Sequence, residues 1–493
     1  MKSPDLQITH AGREALRAFE RFLEKADSGA LFSAIGGDAW ADLRRQVAAA
    51  LHRLLVWQRP WLEAERGILW PYQALAERYG HFQRLALDAA TPSRQQQGQL
   101  FLGFLPFPRQ WSWLRQVTRE HRALQEVQTF LAMESQSMAE KLAYKPQRTF
   151  KLRHFCQVLK GYGNARSKGI LRVFSIPYLL VALGPRLLER ISSRYVLFAE
   201  PPMGVVWRHT WWRHYAALED PCVFGIASAE DRAFLQHQDS VEVVPLAHGD
   251  FLNDLAFQGD GLPKEYDIVF NATFDDMPRK RHERMLELLR HPLLEDVRAL
   301  FLGRGSETHV AALEEQVREL RLAERVRVVA NVRRSEVPDY LARCRMGVHL
   351  SLYENACRSV YEFFRADLPC VISSSMAGMN PAVFGDQTGM AVADADLPQA
   401  IAFVLRHLDR FSPRRWFVEH SGSENSSHRL NEALRMLFTR WGYEWHEDIA
   451  PLNSSGANRY ARAADYERFR DDFQWLLGCL QEAAPWTSQF TLD

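Results

Sequence analysis

The sequence predicts an α/β chain of two Rossmann-like, doubly wound domains behind an N-terminal helical extension. Three observations carry that reading. Apolar residues in the first 95 positions recur at helical spacing, Ala15-Leu16, Phe19 and Phe22-Leu23 in one run and Leu43, Val47, Leu51 and Leu54-Leu55 in another. At Gln99 the pattern turns into short apolar runs alternating with helices. From Tyr266, five strand–helix units follow one another, a pattern that folds into a parallel sheet with ligands at the carboxyl ends of its strands. A chain of 493 residues is also too long for one core.

Composition narrows the function class. A hydrophobic share of 47% with 25% charged residues is ordinary for a globular protein. A net charge of +1 argues against a nucleic-acid binder. The cysteines (Cys156, Cys222, Cys344, Cys357, Cys370, Cys479) form no CxxC and read as free thiols, not as a disulfide frame or a zinc site. Met1–Asp5 leads into polar helical sequence with no signal peptide, and the longest apolar run, Ile176–Leu183, is too short to span a bilayer. The expected location is the cytoplasm, with association at the inner leaflet left open.

Within the extension, residues 1–95, Gly36-Gly37-Asp38 is expected to end one helix and cap the next. The first α/β domain, residues 96–257, is expected to open with a strand over Leu100–Leu105, a helix over Trp111–Leu124 and a strand over Val127–Leu131. Between Lys141 and Arg186 lie ten Lys or Arg residues and no acid. Such a one-sign stretch, with Lys160, Arg166 and Lys168 in it, suits an acidic acceptor or an anionic lipid surface; acids elsewhere in the fold are the equal alternative. Gly161-Tyr162-Gly163-Asn164 reads as a flexible loop. Strands at Tyr195–Phe198, Cys222–Ile226 and Val241–Val244 follow, with a helix over Glu230–Gln236. Trp207–His214 reads as either a membrane or sugar surface or a packing face. His248 reads first as a turn histidine and second as a cleft residue.

Ala256–Glu265 has the composition of a linker, and the second α/β domain spans residues 266–445. Its strands are expected at Tyr266–Phe270, Ala299–Leu302, Val326–Val329 and Met346–Leu350, with another opening at Leu368. Helices are expected from Lys280 to Leu289, Thr308 to Leu320, Glu336 to Cys344, and Asn355 to Arg365. Gly303 and Gly305 would let the backbone approach a ligand closely, and Asn331-Val332 forms the loop after the next strand. Asp394-Ala395-Asp396 has the spacing of a metal motif but precedes a helix, so it reads as a cap. Residues 446–493 form a C-terminal loop and helix with a route back to the first domain.

The candidate chemistry lies in Val348–Cys370. Glu354 falls in the turn after a strand, and Glu362 lies two turns along the next helix. That helix would offer the N–H groups of Asn355, Ala356 and Cys357 and a positive dipole end to a phosphate. One acid could then take hydroxyls on each side of it. The plainer alternative is a helix cap and a solvated residue.

This stretch, with Ser351 before it and Ala366–Val371 after it, resembles the E-x7-E motif of family 4 retaining glycosyltransferases, which have the two-domain GT-B fold with a cleft between the domains. The resemblance implies transfer of a sugar from a nucleotide-diphosphate donor, a UDP- or GDP-sugar, to a glycan, lipid-linked glycan or protein, with retention and with no metal or other cofactor. It implies catalytic roles for Glu354 and Lys280, a ribose role for Glu362, and a base-bordering loop at Asn331-Val332. Three positions depart from the family. Asp275 stands where the diphosphate-binding arginine is expected, so that Arg279 or Arg281 would supply the charge. Ala382 replaces a glutamate, and Asp367 a turn glycine. The rival readings are a nucleotide-sugar epimerase on the same fold and a non-catalytic scaffold.

Overall fold

The computed structural model describes residues 7–29, 37–88, 90–104, 150–154, 156–174, 180, 185–201, 215, 218–236, 238–239, 241–253, 261–354, 357–453, 459–483 and 490–492. Two compact units divide the chain. The first comprises Met1–Pro245, Asn431–Ala450 and Ala457–Asp493, and the second Leu246–Leu430 and Pro451–Gly456. The boundary falls at Pro245, ahead of the expected linker. The chain returns to the first unit after Leu430.

The first unit opens with helices α1 (His10–Asp27), α2 (Gly37–His52), α3 (Arg59–Glu65), α4 (Trp70–Leu87) and α5 (Pro92–Phe104). Thr9 Oγ1 caps α1 by accepting from Gly12 N at 3.1 Å. Gly37 begins α2, so the Gly-Asp pair lies inside that helix's first turn. Of the strand expected over Leu100–Leu105, Leu100 to Phe104 form the end of α5 instead, and Leu105 lies outside the described residues. The reason is packing against α4: Phe101 stacks on Phe82 with centroids 3.8 Å apart. A Cβ on Gly98 would stand 2.2 Å from Ala86 N. A short apolar run cannot by itself distinguish a buried strand from a buried helix. The expected elements over Trp111–Leu131, and the Trp207–His214 cluster, lie outside the described residues.

A two-residue strand β1 (Phe150–Lys151) pairs with Phe490–Thr491. The unit's main sheet has the order β2 (Cys156–Lys160), β3 (Gly169–Val173), β4 (Tyr195–Ala199), β5 (Cys222–Gly225), β6 (Val241–Val244). β2 is antiparallel to β3 and all other pairs are parallel. Strands β2 to β5 are buried along their whole length, as strands covered on both faces must be.

The second unit has a six-stranded, wholly parallel sheet. Its strands are β7 (Tyr266–Asn271), β8 (Ala299–Gly303), β9 (Val326–Ala330), β10 (Cys344–His349), β11 (Cys370–Ser373) and β12 (Gly389–Val392), in the order β12-β11-β10-β7-β8-β9. Successive strands run outward from β7 to one edge, and the chain then returns to lay β10 on β7's other side. The order therefore reverses between β7 and β10, the place where a doubly wound sheet opens a crevice at its carboxyl end. No helix among the described residues is long and apolar enough to cross a membrane.

Candidate active site at the strand-order reversal

Beyond β7 the chain makes a 3₁₀ turn, then a single helical turn α6 (Met277–Lys280), then helix α7 (His282–Leu289). Arg281 separates the two with φ 61°, so the helix expected to open at Lys280 is broken there. Lys280 consequently ends a turn and is 8% exposed. Main-chain bonds join the neighbouring loops: Leu352 N donates to Arg279 O at 2.9 Å and Glu354 N to Ala377 O at 2.8 Å. These contacts hold the segments after β7, β10 and β11 in register around one carboxylate.

That carboxylate is Glu354. Oε1 accepts from Arg279 Nη1 at 2.9 Å and from Lys280 Nζ. His349, the last residue of β10, places Nε2 3.6 Å from the same oxygen. Burial alone pushes the Glu354 carboxyl up, but Lys280, His349 and Arg279 outweigh it and hold it well below the usual carboxylate range. Burial lowers the His349 pKa, against the Glu354 carboxylate, which raises it. Arg279 Nη1 also bonds Tyr353 O at 3.1 Å and Ser351 Oγ at 3.4 Å, so Ser351 serves the turn itself. Cys357 Sγ lies 3.1 Å from His349 Nε2 and immediately precedes helix α8 (Arg358–Arg365).

Glu362, in the middle of α8, is 9% exposed. Its Oε2 accepts from Asn271 Nδ2 at 3.1 Å, and its Oε1 lies 2.8 Å from Arg358 Nε. The two acids of the motif thus border β7 on adjoining sides, Glu354 through Lys280 and Glu362 through Asn271.

The arginines flanking Lys280 separate. Arg279 belongs to the Glu354 cluster, whereas Arg281 is paired with Asp394. Asp394 also accepts from Ser373 Oγ at 2.5 Å, and Asp396, at the helix start, makes no capping bond. The capping expected of Asp394-Ala395-Asp396 is therefore corrected: its first acid is the counter-charge of Arg281. Asp275 faces the N-terminus of the helix Glu307–Glu319, where Oδ1 accepts from Ser306 N at 2.7 Å and lies 3.0 Å from His309 Nδ1.

Gly303 and Gly305 answer to packing. A Cβ on Gly303 would stand 2.0 Å from Ala272 O, and one on Gly305 2.7 Å from Phe274 Cβ. Both glycines pack closely against the loop after β7. Asn331, with φ 58°, bonds both the N–H and the carbonyl of Gly305, at 3.1 and 2.9 Å. Val332 follows in the same loop, half-buried. Asn355 and Ala356 lie outside the described residues.

Two cations of the basic stretch, Lys168 and Arg172, are paired with acids of the first unit. Lys160 is 1% exposed and donates to Lys168 O at 2.9 Å and Ser167 Oγ at 3.3 Å. Lys168 is held by Glu219 and Asp220, each at 2.8 Å. Arg172 is fully buried against Glu200. Of the acceptor-side candidates, Lys160 and Lys168 are thus removed from solvent, because each finds a partner on a neighbouring loop. Arg166 sits exposed in a turn closed by Asn164 Oδ1, so the expected flexible loop is a hydrogen-bonded hairpin. His248 opens a 3₁₀ turn (His248–Phe251) and is half-buried.

Sequence reasoning missed His349 and Asn271 and gave Asp394 a different role. The usable signal for His349 was its place as the last residue of a buried strand directly before the acidic motif, where a polar residue needs a partner.

Residues 265–409 match the family model described as glycosyl transferases group 1. The match takes in the six-stranded sheet and every residue of the Glu354 cluster. No curated protein sequence matches the chain. Among solved structures, sucrose-phosphate synthase from Thermosynechococcus elongatus is 19% identical with a TM-score of 0.42, covering 50% of this chain and 69% of that one. The pneumococcal O-GlcNAc transferase GtfA, solved with UDP and GlcNAc, is 11% identical with a TM-score of 0.40, covering 52% of this chain and 55% of that one. Anabaena HepE, solved with UDP and glucose, is 12% identical with a TM-score of 0.39, covering 53% and 83%.

Proposed function

We propose that the chain transfers a sugar from a nucleoside-diphosphate donor to an acceptor hydroxyl, with retention at the anomeric carbon and without a bound metal. One observation carries this reading: a half-buried carboxylate and two cations meet at the strand-order reversal of a domain that matches the glycosyl transferases group 1 model. In the reaction the anomeric C–O bond breaks and the nucleoside diphosphate leaves with the electron pair. The acceptor oxygen forms the new bond and loses its proton. Negative charge therefore grows on the departing phosphate oxygen, and fixed cations there stabilise the transition state more than the ground state.

Lys280 and Arg279 supply that charge, in place of the arginine that Asp275 replaces. Glu354 holds the donor sugar's hydroxyls once its cations turn toward the diphosphate. Glu362, oriented by Asn271, takes the ribose hydroxyls. Product analysis after incubation with UDP- and GDP-sugars tests the reading. A glycosylated acceptor, or slow release of free sugar and nucleoside diphosphate, supports it. An interconverted sugar nucleotide would indicate an epimerase, and no binding of either nucleotide would indicate a scaffold.

A further inference from the structure

Glu354 shares its pocket with two groups the proposed transfer does not use. His349 is fully buried, and its Nδ1 has no hydrogen-bond partner among the described residues. Its other nitrogen, Nε2, lies 3.1 Å from Cys357 Sγ and 3.6 Å from Glu354 Oε1. One ligand atom from each of the three residues lies within 4.8 Å of the others. Zinc bonds of about 2.0–2.3 Å at tetrahedral angles place donor atoms roughly 3.3–3.7 Å apart. The three side chains thus stand near the separations a single zinc ion requires.

We infer that His349, Glu354 and Cys357 form a binding site for a thiophilic divalent cation, zinc above all, and that its occupation blocks sugar transfer. The blocking half rests on the donor role proposed for Glu354; the binding half does not. The donor set of one imidazole, one thiolate and one carboxylate suits zinc and disfavours magnesium and calcium, which prefer oxygen cages. Glu354, with a side chain 17% exposed, is the open side, and solvent completes the tetrahedron there. Binding forms the Zn–S bond, releases the Cys357 thiol proton to solvent and replaces Lys280 as the cation on Glu354. Arg279 remains as the repulsive neighbour that keeps the site reversible. Zinc and the donor sugar then compete for one carboxylate.

The test is a titration of the reduced full-length protein with Co²⁺, followed by displacement with Zn²⁺. One equivalent of cobalt should give tetrahedral d–d absorption with a thiolate charge-transfer band, and zinc should abolish both. In Cys357→Ser the charge-transfer band should vanish while the thermal midpoint stays near that of the wild type. His349→Gln should weaken binding at least as much as loss of an outer partner does, about 10- to 100-fold. Absence of the band in the wild type, or its survival in Cys357→Ser, overturns the site. Zinc bound as described with transfer unimpaired supports the site and overturns the donor-sugar role of Glu354.

Discussion

Arg279 Nη1 and Glu354 Oε1 stand 2.9 Å apart across 75 residues of sequence, and Lys280 Nζ reaches the same oxygen. Without a donor, the carboxylate that should grip the sugar and the cations that should grip the diphosphate neutralise one another. Under the proposed roles, donor binding would exchange these partners, so the charges need not be left uncompensated at any stage.

Arg279 and Arg281 should differ in what their loss does. Arg279→Ala and Lys280→Ala should each lower kcat/KM about a hundredfold or more, with little change in thermal midpoint, because Glu354 keeps its other cation. Arg281→Ala should leave transfer nearly intact but lose about 1.5–3 kcal/mol of stability, since Asp394 would be left without its guanidinium. Steady-state kinetics and urea unfolding of the three variants check this. The reverse pattern for Arg279 and Arg281 would put the diphosphate beside Asp394.

His282 should make the protein acid-sensitive. Its ring is enclosed by Phe270, Phe274 and Phe301, and burial lowers its pKa from 6.5 to about 4. Between those values the unfolded chain binds a proton that the folded chain refuses. Stability is therefore full above pH 6.5 and falls toward pH 4, by at most about 1.4 kcal/mol per pH unit from this group. His282→Phe should flatten that slope in denaturant titrations across the range. An unchanged slope would show that the ring protonates without cost.

Asp367 should tolerate glycine and reject valine. Its φ is 57°, and its Oδ1 accepts from Arg414 N at 3.0 Å. Glycine relieves the left-handed backbone but loses that bond, two effects of about 1 kcal/mol that nearly cancel. Valine loses the bond and aggravates the backbone, so Asp367→Val should cost about 2 kcal/mol or more by thermal unfolding.

Gly98→Ala should destabilise the helical segment although alanine is the better helix former by about 1 kcal/mol. The new Cβ would meet Ala86 N at 2.2 Å and Phe82 O at 2.5 Å, both main-chain atoms that cannot rotate aside. A net loss of roughly 1–3 kcal/mol in urea unfolding is expected. A stabilised variant would mean that the close approach of α4 and α5 is wrong.

The parallel sheet of the second unit was legible because short, mainly apolar runs alternate with helical periods, although the strand Gly389–Val392 was not among those expected. Glu354 was legible because the turn after a strand is where such a sheet binds ligands. The strand expected at Leu100–Leu105 failed because six apolar residues fit either a strand or a buried helix, and only the contact with Phe82 decides between them. Asp367 can stand where the family has a turn glycine because aspartate enters the left-handed region that glycine favours, at modest cost. The choice between Arg279 and Arg281 was invisible in sequence, since it depends on the break at Arg281 and on Asp394, more than a hundred residues away. Lys160 and Lys168 looked like surface charge because their partners, a neighbouring carbonyl and the Glu219-Asp220 pair, come together only on folding.

The most direct test is single-turnover transfer with the matching UDP- or GDP-sugar, measured for the wild type, Glu354→Ala and Lys280→Ala, each shown to be folded by its thermal midpoint. The account predicts a glycosylated product from the wild type and loss of transfer in both variants. Equal turnover in either variant would contradict it.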